Sequence, residues 1–241
     1  METKVFDRVE KKYLITKQDK TALLKTIKKH MKPDNYHKSE VLNLYFDDDN
    51  YDLISQSIDW TEFKEKLRAR SYAGYDRVFL EIKTKIRKPD NNVGYKRRVM
   101  ITHEDFEKLL KKEKTIQELA SITQEKNNDL QIANEVAYLM NHFSLEPKIF
   151  LTYKRESYVD TEGTRITFDE KLKYRNHNLS LNKQKSDKMY FKDDHSIIME
   201  VKAHGALPLW LVKLMSEQKI YPQQFSKIGK IYQKIRKEKN V

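Results

Sequence analysis

At 241 residues the chain can bury a substantial core, as one large domain or two small ones. It is 35% charged and 38% hydrophobic, with 14 Tyr and 10 Phe, which excludes a disordered composition. The net charge of +12 points to a polyanionic partner such as nucleic acid, a phosphate compound or an anionic membrane surface, and the absence of cysteine excludes disulfide and thiolate chemistry.

The N-terminal METKVFDRVEKKY has no apolar signal core, and no apolar run approaches the ~18 residues of a membrane span, so a cytoplasmic protein is expected. FDRVEKKYLI reads as the first strand, with Arg8, Glu10 and Lys12 alternating with Val9 and Tyr13. Thr16 opens a helix, TKQDKTALLKTIKKHM, with Leu23, Leu24 and Ile27 as its apolar positions and Pro33 beyond its end. VLNLYFD (41–47) reads as a strand and NYDLISQSI as a short helix. KEKLRARSYAGYDRVFLEIKTK (64–85) is a hairpin, and GYKRRVMI (94–101) a fifth strand. Thr102 caps THEDFEKLLKK, with Asp105 at the capping-box position, and a helical stretch continues to about His142. Three more strands follow, PKIFLTYKRESYVD, TRITFDE and SIIMEVKAH, then two helices, PLWLVKLMSEQ and QQFSKIGKIYQKIRKE. The polar segment 171–194 reads as a surface insertion or loop. Eight mostly consecutive strands predict an α+β fold with a mainly antiparallel sheet, in one domain spanning 1–241.

Charge falls on one parity of nearly every strand. In the hairpin, Lys64, Lys66, Arg68, Arg70 and Tyr72 share a face with Phe63, Leu67 and Ala69 opposite; Phe79, Glu81, Lys83 and Lys85 likewise oppose Val78, Leu80 and Ile82. Glu10, Lys12, Lys96, Arg98, Arg155, Arg165, Glu200 and Lys202 extend the pattern. Such alternation ordinarily means one wet face of a sheet. Eight strands are also about the number that closes into a barrel. A dry lining with excess cations is costly, so it must stay wet or hold an extended anion. A chain of phosphates fits, with Arg donating in pairs and Lys acting as a point charge. Carboxylates among the phosphates suit Mn²⁺ or Mg²⁺.

The succession RVEKKYL, LYFD, KLRARSY, FLEIKTK, YKRRV, YKRESY, TRITFD, MEVK and FSK resembles the polyphosphate polymerase (VTC) domain of the CYTH or triphosphate tunnel metalloenzyme superfamily, from about residue 6 to 236. The resemblance implies an eight-stranded antiparallel β tunnel, a closed barrel with flanking helices. It also implies transfer of the ATP γ-phosphate onto polyphosphate with a divalent metal. It makes Arg68, Arg70, Lys83, Arg155 and Arg165 the catalytic cations and Lys12, Lys96, Arg98, Lys202 and Lys227 the phosphate or nucleotide contacts. Glu200 becomes the principal metal ligand, with Glu10 and Glu81 as further carboxylates. The superfamily's opening E-x-E-x-K is here Arg8-x-Glu10-x-Lys12, a departure that fits a polymerase better than a two-metal hydrolase.

Two alternatives stand beside this: a metal-dependent triphosphatase of the same fold, and a non-catalytic polyphosphate sensor or scaffold. The chain has no G-x-x-x-x-G-K-[ST] phosphate loop and no helix-turn-helix, RRM or zinc pattern, so nucleic acid is not expected. The basic KIGKIYQKIRKEK leaves peripheral membrane contact open. His30, His142 and His204 lack metal-ligand spacing, and Trp60 and Trp210 read as packing residues.

Overall fold

The computed structural model describes residues 8–56, 58–59, 61–87, 92–122, 127–192 and 196–239. Trp60, the start of the first expected strand (Phe6, Asp7), residues 123–126 of the helical stretch and residues 193–194 of the expected loop lie outside these. The chain folds as β1 (Arg8–Ile15), α1 (Lys17–His30), β2 (Lys32–Asp47), α2 (Asp52–Gln56), β3 (Phe63–Tyr72), β4 (Val78–Arg87), β5 (Asn92–Ile101), α3 (His103–Leu110), α4 (Ile116–Ile122), α5 (Asn127–His142), β6 (Glu146–Val159), β7 (Arg165–Arg175), β8 (Lys188–Met189), β9 (Ile197–His204), α6 (Leu209–Glu217) and α7 (Lys227–Lys239). The sheet runs in the order β1-β9-β7-β6-β2-β3-β4-β5, with β8 added to β7, and its described registers are antiparallel. This is the expected α+β class. The closed barrel differs: β1 and β5 end the order, and among the described residues no ladder joins them.

The chain divides into two compact units, the first made of 1–40, 153–173 and 189–226, the second of 41–152, 174–188 and 227–241. In the first, α1 and α6 cover the apolar parity of the strands. Leu23 and Ile27 from α1 and Leu211 and Met215 from α6 meet Tyr13, Phe168, Met199 and Val201, all buried. Each such side chain contributes about 1.5–3 kcal/mol on burial. Thr16 caps α1 as a reciprocal box, accepting from the Asp19 amide (3.1 Å) while its own amide donates to the Asp19 carboxylate (2.9 Å). Lys20 on the same helix bridges Glu156 of β6 (2.6 Å) and Glu170 of β7 (2.5 Å). His30 stacks on Trp210, ring centroids 4.4 Å apart, which makes both packing residues.

In the second unit, Leu44, Leu67, Leu80 and Val99 from four strands pack with Phe106 of α3, Leu119 of α4 and Val136 of α5. The β3–β4 turn places Gly74 at φ +80°, a left-handed conformation that glycine adopts without strain. Asp47 at the end of β2 accepts the amides of Asp48 (2.9 Å), Leu53 (3.0 Å) and Ile54 (2.7 Å), which ties α2 to the strand. Burial outweighs those three bonds and pushes the Asp47 carboxyl up to about 6.

Two readings of the sequence change. Strand β2 begins at Lys32, with Pro33 as its second residue, rather than at Val41; its first nine residues are exposed or half-buried and carry no apolar alternation to reveal them. Strand β7 runs on to Arg175, inside the segment expected to be a loop, because Leu172 and Tyr174 are buried and Arg175 is wholly enclosed. Arg175 lies 3.9 Å over the Phe150 ring, pairs with Asp187 (2.7 Å) and donates to the carbonyls of Asn178 (3.1 Å), Ser180 (2.8 Å) and Asn182 (2.6 Å).

Candidate functional site

In the second unit the strand registers sort the charged parity into rows. Lys66, Lys83 and Lys96 lie side by side on β3, β4 and β5. The next row is Tyr45, Arg68, Glu81 and Arg98, and the one after it Asn43, Arg70, Phe79 and Met100. The same strands send Leu67, Ala69, Leu80, Ile82 and Val99 into the core on the other parity, so the face is fixed by the period-two pattern.

Glu81 organises this face. It is 1% exposed, and Arg68 grips its Oε2 through Nε (2.8 Å) and Nη2 (2.6 Å), Arg70 lies at 3.9 Å, and the Lys96 ammonium rests against Oε1. Burial alone would raise the Glu81 carboxyl, but Arg68, Arg70 and Lys96 hold it down at about 2. Burial pulls Lys96 below its usual range despite Glu81, with Arg70 and Arg68 adding to the pull. By register, Glu81 is the carboxylate of the rows on β3, β4 and β5 that carry Lys66, Arg68, Arg70, Lys83, Lys96 and Arg98. Aromatic and amide groups seat the arginines. The Tyr45 hydroxyl accepts from Arg68 (3.0 Å), Asn43 Oδ1 accepts from Arg70 Nε (3.0 Å), and Arg98 lies 4.8 Å over Phe79. Asn43 is fully buried, and its Nδ2 has no hydrogen-bond partner, a state that costs about 1–3 kcal/mol.

The first unit carries its own charged face. Register places Lys12 and Thr167 on either side of Glu200, and Glu10 and Arg165 on either side of Lys202. Glu200, 6% exposed, is reached by Lys202 (3.3 Å), Lys12 (3.6 Å) and Arg155 (3.8 Å), and Glu10 by Lys12 (3.2 Å) and Lys202 (3.7 Å). Arg155 is clamped by Asp169 through two bonds of 2.6 and 2.8 Å. Burial works against its charge, but Tyr153, Asp169 and Glu200 outweigh that and hold it protonated well above its ordinary range. Lys12 also donates to the Phe225 carbonyl (3.3 Å), so the F-S-K motif meets this face through its phenylalanine. Arg165 pairs with Asp34 (2.9 Å). Lys227 is the first residue of α7 and half-buried in the second unit.

The faces therefore hold Arg68, Arg70, Glu81, Lys83, Lys96 and Arg98 in one unit and Glu10, Lys12, Arg155, Arg165, Glu200 and Lys202 in the other. Asp169, Tyr45, Asn43 and Thr167 were not among the expected site residues. A parity count within TRITFD would have found Thr167 and Asp169, which share the face of Arg165, whereas Asn43 and Tyr45 come opposite Arg70 and Arg68 only through the β2–β3 register.

For a divalent metal, Glu200 is the fitting carboxylate. Lys202, Lys12 and Arg155 stand 3.3–3.8 Å from it, and the Thr167 hydroxyl beside it is buried without a hydrogen-bond partner. Among the described residues no group of three or more His, Cys, Asp or Glu is placed to cage a cation. Such a donor set suits a hard ion that arrives with phosphate oxygens as its other ligands. Glu81 has both oxygens engaged by cations.

A family model described as VTC domain matches residues 7–235. No curated protein matches. Among solved structures, HpAC1 from Hippeastrum, a candidate adenylyl cyclase for which a dominant triphosphatase activity is described, superposes with a TM-score of 0.51 at 14% identity, over 91% of each chain. The PH1819 protein of Pyrococcus horikoshii gives 0.47 at 13% identity, over 94% of this chain and 99% of its own. A candidate adenylate cyclase from Vibrio parahaemolyticus gives 0.46 at 12% identity, over 94% and 98%.

Proposed function

Because the chain belongs to the VTC domain family, we propose that it is a polyphosphate polymerase, transferring the γ-phosphoryl group of ATP onto a growing polyphosphate chain. The observation that carries the reading is the surplus of cations over carboxylate around Glu81, in rows whose extent suits a linear polyanion. The proposal includes the closed eight-stranded tunnel that the family resemblance implies.

In the reaction a terminal phosphate oxygen of the acceptor chain attacks the γ-phosphorus, the bond to the β-γ bridging oxygen breaks, and ADP leaves with that electron pair. Phosphoryl transfer needs little covalent help, so the work is positioning and neutralisation of charge on the phosphoryl oxygens. Arg68 and Arg70, spread by Glu81, Tyr45 and Asn43, hold the nucleotide phosphates with Lys83, Lys96 and Arg98. Arg155, kept cationic by Asp169, faces the transferring group, with Arg165, Lys12, Lys202 and Lys227 along the acceptor chain. Glu200, with Glu10 beside it, would hold Mn²⁺ or Mg²⁺, which would supply positive charge to offset that of the phosphate oxygens. Glu81 we assign to the cations rather than to the metal. An ATP donor suits the cytoplasmic location expected from the sequence; among the described residues no helix is long and apolar enough to cross a membrane.

A second reading, hydrolysis of triphosphate, is favoured by the nearness of Glu10 to Glu200 through the shared partners Lys12 and Lys202, which gives water a carboxylate pair. Incubation of the purified protein with ATP, and separately with inorganic triphosphate, each with Mn²⁺ or Mg²⁺, separates the two. Long phosphate chains accumulating with ADP support the polymerase; orthophosphate released from inorganic triphosphate without chain growth overturns it.

A further inference from the structure

The rows of the second unit's charged face are graded, and the grading reads as a polarity for the ligand. Lysines alone form the row of Lys66, Lys83 and Lys96, and Arg68, Glu81 and Arg98 the next. The row beyond turns neutral and aromatic with Asn43, Phe79 and Met100 around Arg70, and Tyr72, next along β3, extends it. Tyr72 and Phe79 meet edge to face with centroids 6.5 Å apart, and both are half-buried. Asn43 in that row has its Oδ1 taken by Arg70, while its buried Nδ2 is a donor without a partner. Phe79 and Asn43 Oδ1 are accounted for by the arginines they seat, but the Tyr72 ring and the Asn43 Nδ2 donor are not.

We infer that the Tyr72–Phe79 end is a nucleobase subsite, so that a nucleoside triphosphate lies with its base on these rings and its phosphates running toward the lysine row. Successive rows are about 6.7 Å apart along a strand, so the aromatic and lysine rows are separated by about 13 Å, room for linked phosphates across the arginine row. Base stacking on aromatic rings tolerates any base because each has a π face. Asn43 Nδ2 supplies a neutral donor to the base edge or the ribose once phosphate draws Arg70 away from it. The inference rests on the phosphate-binding reading above.

The competing role for Phe79 is to seat Arg98, whose guanidinium lies over its ring, and the test must separate the two. Binding of ATP and of inorganic tripolyphosphate is measured by calorimetry in EDTA, which prevents turnover, for the wild type, Tyr72→Leu and Phe79→Leu. The inference expects each variant to lose about tenfold in affinity for ATP while tripolyphosphate stays within about twofold. Equal losses for both ligands, or none, overturn the subsite and leave phosphate binding intact. A wild type that binds neither ligand removes the phosphate-binding reading itself.

Discussion

Glu81 is the residue on which the second unit's face turns. Converting it to Gln keeps the shape but leaves Arg68, Arg70 and Lys96 facing one another without a counter-charge. Because Arg68 and Arg70 are mostly shielded from water, we expect Glu81→Gln to lower stability by about 3 kcal/mol, read by urea unfolding. Tripolyphosphate should restore much of that loss, since it supplies the missing negative charge; a variant indifferent to the anion would separate Glu81 from the binding face. The pH dependence has a definite sign. A carboxyl held at about 2 when folded, against a usual 4.5, contributes stability that is present above about 4.5 and lost as the pH falls toward 2. The stability gap between wild type and Glu81→Gln should therefore narrow over that window, and a gap constant from pH 6 to pH 2 would contradict the assignment.

At the scale of elements, the segment after β7 shows why a polar stretch can be misread. Residues 176–187 have little apolar periodicity, yet Arg175 gathers their carbonyls and Asp187 around one buried guanidinium. Arg175→Ala leaves Asp187 buried and three carbonyls without their donor, so a loss of about 3–5 kcal/mol is expected. Amide exchange across 176–187 should rise with it, and unchanged protection would show that the segment is held by something else. Asp47 acts similarly for α2, and Asp47→Ala should cost about 1–3 kcal/mol in urea unfolding by releasing buried amides of Leu53 and Ile54. Period-two alternation made β3, β4 and the charged parity legible, because that signal is local to each strand. The partners Tyr45 and Asn43 depend on cross-strand register, which pairs β2 with β3 and was invisible in either strand alone. The early start of β2 escaped for the opposite reason, as KPDNYHKSE shows no alternation at all.

For the whole molecule, the net charge of +12 favours a polyanionic ligand. Order and identity of the nine motifs identified the family across nearly the entire chain. Phosphate-chain affinity should weaken as ionic strength rises, because part of each face is open to screening. The account stands most directly on chain synthesis by Arg68→Ala and Glu200→Ala, one substitution in each face, assayed with ATP and Mn²⁺ or Mg²⁺ beside an unfolding curve for each variant. It predicts that both remain folded and that each loses chain growth by at least about a hundredfold, in line with removal of a charge-stabilising group. Wild-type rates of chain growth in either folded variant would contradict it.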